Sequence, residues 1–531
     1  TWAKVSPGTS ETHMTSKNGD NLSGMVRHAM RMMVGTFASR VLGLVREMLT
    51  AALFGATRQL DAFYVAYTLA NLARQLLAEG ALSASFVPVF SKTLSGSGKG
   101  KARELAKEAL TVIICGCGFV VVAGIIFAPL LVRVIAPGFI AEQRALAISL
   151  TRVMFPFLLF ISIGALAMGV LNSMGSFFIP AVAPAFSNCA YILFLLLTMK
   201  HLTIWNLAVA VLIGGICQML LQWYWCGRMD VPLSPARPRR DNAELRNMMT
   251  LFFPYAAGLS LNQVNPIISR MLGSFLEGGS ISVLNYADRV LQLPLGLFVI
   301  AISQAVLPML SRQDVNDTTG FRDFIRDALR FDLFVVLPVA VCLFFVSSEV
   351  VHLLFYHGAF SEWAWHATAT ALALYGLGLP GMASSTVILR AMYARRMPKA
   401  AVTVTIVTVS VNLCASLILM PKFSYAGLAA ATATAFTCAS VYGGWALSRN
   451  IDKKLGLFDK VWSGKILSSL ALMVITVVGY KYLVPYPVES GLAVRLAWLA
   501  GIGLAAVGVY TVSTIAAHCP EWHWIKGAVR K

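Results

Sequence analysis

The sequence predicts an all-α polytopic membrane protein of about fourteen transmembrane helices. They would form two six-helix lobes around a central cavity, plus two extra C-terminal helices. Three observations carry this. The 531 residues are 57% hydrophobic, with 13% charged, against about 25% charged in a soluble domain. Apolar runs of bilayer-spanning length follow one another with short polar connections. Two stretches of the chain also resemble each other at a fixed offset.

Residues 1–24 are polar and begin with Thr rather than Met. They are expected to be a disordered N-terminal tail or a product of start-site choice, with Met14 and Met25 as alternative starts. From there the spans read 31–54, 61–92, 109–134, 147–172, 179–200, 204–226, 247–276, 281–311, 327–348, 364–394, 399–420, 425–447, 461–484 and 493–517. The expected division is an N-lobe over 25–226, a basic cytoplasmic linker over 227–246 and a C-lobe over 247–447. The two added spans fall in 448–517, and a cytoplasmic tail covers 518–531.

Lys and Arg set the orientation. Connections two, six, eight, ten and twelve are basic, as in Lys92–Lys107 and Arg228–Arg246, whereas Glu277–Ser280 carries no base. Basic loops stay in the cytoplasm, which places both termini there. The net charge of +19 follows from those loops, and nothing supports nucleic-acid binding: there is no zinc-ligand spacing and no aromatic–basic platform. The nine cysteines show neither metal spacing nor a disulfide framework and read as small packing residues.

The internal repeat lies at an offset of about 220 residues. Phe86–Lys92 (FVPVFSK) matches Val306–Arg312 (VLPMLSR), and Tyr64–Leu72 matches Asn285–Leu293. Pro180 matches Pro398 in the same way. Six spans per unit is an even number, so both units point the same way, related by an axis along the membrane normal.

Arg40, Arg46, Arg74 and Arg289 lie within these apolar runs. A guanidinium at membrane depth costs roughly 2.5–3.5 kcal/mol on the lenient scale. Four of them point to a water-filled interior that attracts an anion. The planar fork of Arg matches phosphate oxygens bidentately, which favours a pyrophosphate or sugar-phosphate headgroup. Arg40 and Arg46, six residues apart, do not share a helix face. Either the helix bends at Gly43 or they have different partners. Glu47 pairs elsewhere than with Arg46. Asn71 and Arg74, three apart, can face one cavity. Glu79 either neutralises Arg74 or sits near the cytoplasmic mouth. Asp61 and Asp288 open their helices and serve either as gate residues or as charges favoured by the helix dipole. Gln292 lies near Arg289, and Arg270 serves either the cavity or an interhelical pairing.

A membrane enzyme would need clustered acids or a catalytic base. His352, His357 and His366, with Glu349 and Glu362, have poor metal spacing and read as a solvated outer loop. No metal or cofactor is expected.

SRVLGLVRE (39–47), LDAF (60–63), NLARQLLAEGALSASFVPVF (71–90) and YADR (286–289) resemble the signature of the MurJ/MviN family of lipid II flippases, in the multidrug/oligosaccharidyl-lipid/polysaccharide exporter superfamily. The resemblance covers 25–517. It implies transport of a polyprenyl-pyrophosphate-linked glycopeptide, the peptidoglycan precursor, from the cytoplasmic to the periplasmic leaflet of the inner membrane. Membrane lipids and cell-wall synthesis proteins are the implied partners. It further implies that the last two spans form a groove for the lipid tail, that Arg40, Arg46, Arg74 and Arg289 bind substrate, and that Asp61 belongs to a gate. A polyprenyl-linked oligosaccharide flippase or a drug exporter of the same superfamily are the alternatives. Two departures stand out. Gln292 occupies a position where many relatives carry Glu. Ser269 and Asn412 stand where some relatives bind a monovalent cation through carboxylates, which speaks against cation coupling through that site; a monovalent cation or membrane potential is the expected coupling source.

Overall fold

A computed structural model describes residues 38–239, 241–260, 263–299, 318–451 and 455–522. Every regular element among them is helical. Helix α1 spans 38–54, α2 Arg58–Ala73, α3 Ser83–Ile126, α4 Ala128–Ile135, α5 Ala141–Met154, α6 Phe157–Ser173, α7 Phe178–Leu197 and α8 Ile204–Arg228. They are followed by α9 (Ala243–Ser260), α10 (Val264–Gly273), α11 (Ser280–Pro294), α12 (Thr318–Phe355), α13 (Glu362–Ala394), α14 (Pro398–Asn450), α15 (Lys460–Leu483) and α16 (Leu492–Ala516). Two π-helical segments, Arg74–Leu82 and Leu295–Val299, continue α2 and α11.

Nine helical runs among the described residues are long and apolar enough to cross a bilayer. Some hold more than one crossing. Helix α14 has 53 residues, about 80 Å at 1.5 Å each, against a hydrocarbon core of about 30 Å. It breaks at Ser424, where φ is 50°, three residues after Pro421. Helix α3 breaks at Gly98, with φ 80°, a left-handed value open to glycine. The expected spans 147–172 and 109–134 are each divided, by the turn at Phe155–Pro156 and by the break before α4. Parts of the first and eighth expected spans, and the repeat segment Val306–Arg312, lie outside the described residues.

The chain forms two compact units. One gathers the described residues up to Arg46 with Ala66–Leu131 and Ile148–Ser260. The other gathers Glu47–Val65, Val132–Ala147 and the described residues from Gln263 onward. Helix α9 belongs to the first unit because it packs on α3 and on the Arg74–Leu82 segment. In the second unit α12, α13 and α14 pack as neighbours. A Cβ on Gly378 or Gly381 would lie 2.7 Å from the backbone of Ala433 or Thr437, so small residues let α13 and α14 meet closely, as membrane helices do. Helices α15 and α16 pack against α12 through Trp462, Trp498 and Tyr510 with Leu333 and Phe334.

The internal repeat reappears in the backbone. Helix α2 ends at Ala73 and α11 at Pro294, and the π segments begin at Arg74 and Leu295, the same 221-residue offset that relates Tyr64–Leu72 to Asn285–Leu293. Pro294 has no N–H to give to an α-helical bond, which favours the wider turn after α11.

The basic linker is pinned to α3. Arg239 donates from Nε to Glu108 Oε1 at 3.1 Å and from Nη2 to Glu104 at 2.6 Å, and Asn242 Nδ2 donates to Glu108 at 2.9 Å. Thr111 Oγ1 donates to the Ala236 carbonyl at 2.7 Å. The two carboxylates beside Arg239 hold its guanidinium above the ordinary arginine range.

At the other end of α12, two residues expected in a solvated loop are buried. Glu349 lies 2.6 Å from Lys481 Nζ, and His352 is 1% exposed. The His352 ring stacks on Tyr356, meets the edge of Trp365 and holds Nδ1 3.2 Å from Tyr486 Oη. The helix runs to Phe355 through apolar Val350–Phe355, which carries both residues inward. Glu362 and His366 are exposed and 3.8 Å apart.

Candidate substrate pocket

Each unit holds a polar cavity. In the first, Arg46 and Arg74 line a space of about 140 Å³ with Tyr67, Asn188, Tyr191 and Gln218. At roughly 30 Å³ per water, it suits a few waters or a small anionic group. Arg46 comes from α1, Arg74 from the first turn of the π segment, Asn188 and Tyr191 from α7 and Gln218 from α8. Arg46 Nη1 donates to Asn188 Oδ1 at 3.3 Å, and Asn188 Nδ2 donates to the Ser39 carbonyl at 3.2 Å. The Arg46 guanidinium lies 5.2 Å from the Tyr191 ring centroid and 6.0 Å from that of Tyr67, within cation–π range. Arg74 Nε donates to Asn71 Oδ1 at 2.8 Å. Both guanidiniums are therefore oriented by neutral amides, and their charge is not cancelled by those partners. A π-helix at a functional residue is a recurrent arrangement.

The other residues singled out from the sequence separate into different settings. Arg40 is half-buried and does not line this cavity. Helix α1 runs without interruption through Gly43, so Arg40 and Arg46 face different ways. The side chain of Glu79 lies outside the described residues.

In the second unit, Arg289 Nη2 lies 3.5 Å from Glu47 Oε1, and Tyr64 Oη donates to the other Glu47 oxygen at 2.8 Å. Asp61 is buried and accepts from Gly279 N at 2.6 Å, Ser282 N at 2.7 Å and Ser282 Oγ at 2.6 Å. Gly279 is the N-cap of α11. Asp61 therefore satisfies amides that a helix start leaves unpaired, a cap supplied from another helix.

The second cavity, about 430 Å³, is lined by Arg270, Asn285, Asp288, Gln292, Asn265 and Asn412 among others. Arg270 donates from Nη1 to the Ile281 carbonyl at 3.2 Å and from Nη2 to Asn285 Oδ1 at 3.0 Å. Gln292 Nε2 donates to Asp288 Oδ1 at 3.4 Å, one turn away. Asn412 Nδ2 donates to Asn265 Oδ1 at 3.2 Å. The cavity arginine of this unit is thus Arg270, while Arg289 is engaged by Glu47. Sequence reasoning missed Asn188, Tyr191 and Gln218, which are polar or aromatic residues in otherwise apolar spans. Asn188 sits in such a run, and that was a signal available to it.

The model of a family described as "Lipid II flippase MurJ" matches residues 50–494. The chain belongs to the MurJ family. The lipid II flippase MurJ of Burkholderia cenocepacia is 34% identical over 401 residues, covering 74% of this chain and 78% of that one. A probable lipid II flippase MurJ of Rickettsia prowazekii is 28% identical over 483 residues, covering 90% and 94%. A solved structure of a lipid II flippase MurJ in an inward closed conformation superposes with TM-score 0.76 at 26% identity, over 91% of this chain and 97% of that one. An inward-facing multidrug resistance transporter described as of the MATE family and the MOP superfamily gives TM-score 0.66 at 14% identity, which speaks for the shared fold. MurJ membership makes this a multi-span membrane transporter rather than an enzyme.

Proposed function

We propose that this protein is a lipid II flippase. It carries lipid-linked peptidoglycan precursor from the cytoplasmic to the periplasmic leaflet of the inner membrane by alternating access, with both termini in the cytoplasm. The observation that carries the reading is the pair Arg46 and Arg74 on one cavity, each steered by an amide. Two cationic forks facing one cavity attract a diphosphate. The tyrosines beside Arg46 hold its fork in place.

The headgroup enters from the cytoplasmic leaflet and its pyrophosphate meets the arginines. Binding relieves repulsion between the two guanidiniums, so the cavity closes around the anion and then opens to the other side. A moderate grip is required, because a ligand shifts a conformational equilibrium only by its differential affinity for the two states. Membrane potential acts on the pocket charge at about 2.3 kcal/mol per charge per 100 mV and helps to reset it. The polyprenyl tail stays in the lipid phase beside α15 and α16.

The test is complementation of a strain depleted of its own lipid II flippase. The wild-type chain restores growth, and Arg74→Ala inserts in the membrane but does not. Growth with the variant, or failure of the wild-type chain to support growth despite normal insertion, overturns the reading.

A further inference from the structure

Asp332 sits inside α12 with 0% of its surface exposed, and among the described residues neither carboxylate oxygen has a hydrogen-bond partner. No described side chain plays the part for Asp332 that Arg289 plays for Glu47. An isolated ionised carboxylate in such a setting is costly.

Its position defines what it faces. Leu329 precedes it by three residues and Ile325 by seven, so the three share one stripe of the helix. Leu329 and Ile325 pack against Val387 and Ile388 of α13. Asp332 lies one turn beyond Leu329, along the stripe that packs with α13, a helix that also buries Ser384 and Ser385. Leu333 and Phe334 turn instead toward α15 and α16.

Among the described residues, the charged groups on the elements packed against this part of α12 are otherwise occupied. Arg330, on α12 itself, donates to the carbonyls of Leu457 and Gly456, and Arg326 pairs with Asp323 and Asp327. From α13, Arg390 has another partner. From the α15–α16 side, Lys465 donates to the His518 carbonyl and Glu521 accepts from Trp462 Nε1. The segment Leu295–Val299 brings no titratable group. Asp332 is only two residues, about 3 Å along the axis, deeper than Arg330. That end of α12 carries Arg322, Arg326 and Arg330 and is cytoplasmic by its basic residues.

We propose that Asp332 is a proton-binding site through which cytoplasmic pH biases the packing of α12 against α13. In the packed arrangement the carboxyl carries a proton taken from cytoplasmic water. When the helices part enough to admit water, the O–H bond breaks, the proton returns to that water and the carboxylate is solvated. The packed arrangement holds one proton more than the open one. It is therefore favoured as cytoplasmic pH falls, with the ratio of the two changing up to tenfold per pH unit.

Infrared spectroscopy of the purified protein in lipid tests this without any substrate, so its outcome is separate from that of the flippase reading. The wild-type minus Asp332→Asn difference at neutral pH should contain the C=O stretch of a protonated carboxyl. Ionised-carboxylate bands in its place, or no difference, overturn the proposal. Should the Asn variant fail to fold, Asp332→Glu serves: the protonated-carboxyl band must move in frequency, and an unmoved band overturns the assignment. In transport assays at varied cytoplasmic pH, Asp332→Asn should remain active with a flattened pH profile. An unchanged profile counts against the coupling.

Discussion

Glu47 lies 3.5 Å from Arg289, so α1 and α11 share one buried charge. The Tyr64 hydroxyl donates to the second Glu47 oxygen, which leaves the carboxylate well held. Arg289 is about one-third exposed on its side chain and Glu47 nearly fully buried.

Removing Arg289 takes a cation away from that carboxylate. Arg289→Ala should destabilise the protein by roughly 2–3 kcal/mol, a figure discounted from the fully buried case for solvent screening. Adding Glu47→Gln should recover much of the loss. Thermal unfolding in detergent measures both. If the double variant is as stable as wild type but transports nothing, Arg289 also touches substrate; if transport returns with stability, its role is to hold Glu47.

Asp61 carries three hydrogen bonds to the start of α11. Asp61→Ala should cost roughly 2–3 kcal/mol, the combined worth of a lost cap and of charge-assisted bonds. Asp61→Asn should fall between, since its amide keeps one acceptor oxygen. Equal melting temperatures for the Ala variant and wild type would show that the cap contributes nothing.

The arginine pocket makes a graded prediction. Arg74→Ala should lower transport by more than tenfold. Arg74→Lys should remain impaired, because an ammonium cannot offer two parallel donors. Asn71→Ala removes only the brace on Arg74 and should cost roughly fivefold, the worth of one hydrogen bond. Flipping by proteoliposomes orders the three; Asn71→Ala as damaging as Arg74→Ala would contradict this division of labour.

The linker is a strap fastened by Glu108, which accepts from Arg239 and Asn242. Glu108→Ala should release it, and protease cutting between residues 229 and 242 should become several-fold faster. Unchanged cutting would mean that the strap is held by Glu104 and Thr111 without Glu108.

The helical architecture was legible because apolar runs of spanning length admit few alternatives in a membrane. The arginine pocket was half legible. Arg46 and Arg74 announced themselves by charge, but Asn188 and Tyr191 meet Arg46 only through the packing of α7 on α1, which no spacing reveals. Arg289 and Arg270 illustrate the limit: both are basic residues in apolar helices, and only the fold decides which meets a carboxylate and which a cavity. Asp61 was visible as the acid of a helix start, yet the helix whose amides it satisfies is α11, far along the chain. His352 and Glu349 look like loop residues until one sees that α12 continues to Phe355.

The paired π segments at Arg74 and Leu295 have a mechanical consequence. A π turn holds one amino acid beyond the α-helical count, so each half keeps a surplus at the same station of its sequence. Were the surplus to travel along the rod, backbone bonds would be swapped rather than lost, and side chains in its path would swing by about 100°. Deleting one amino acid from 75–78 should freeze Arg74 in a single bearing and arrest turnover while the fold persists; undiminished turnover would deny the idea. Such a travelling dislocation would let a guanidinium change its aim without its helix ever coming apart.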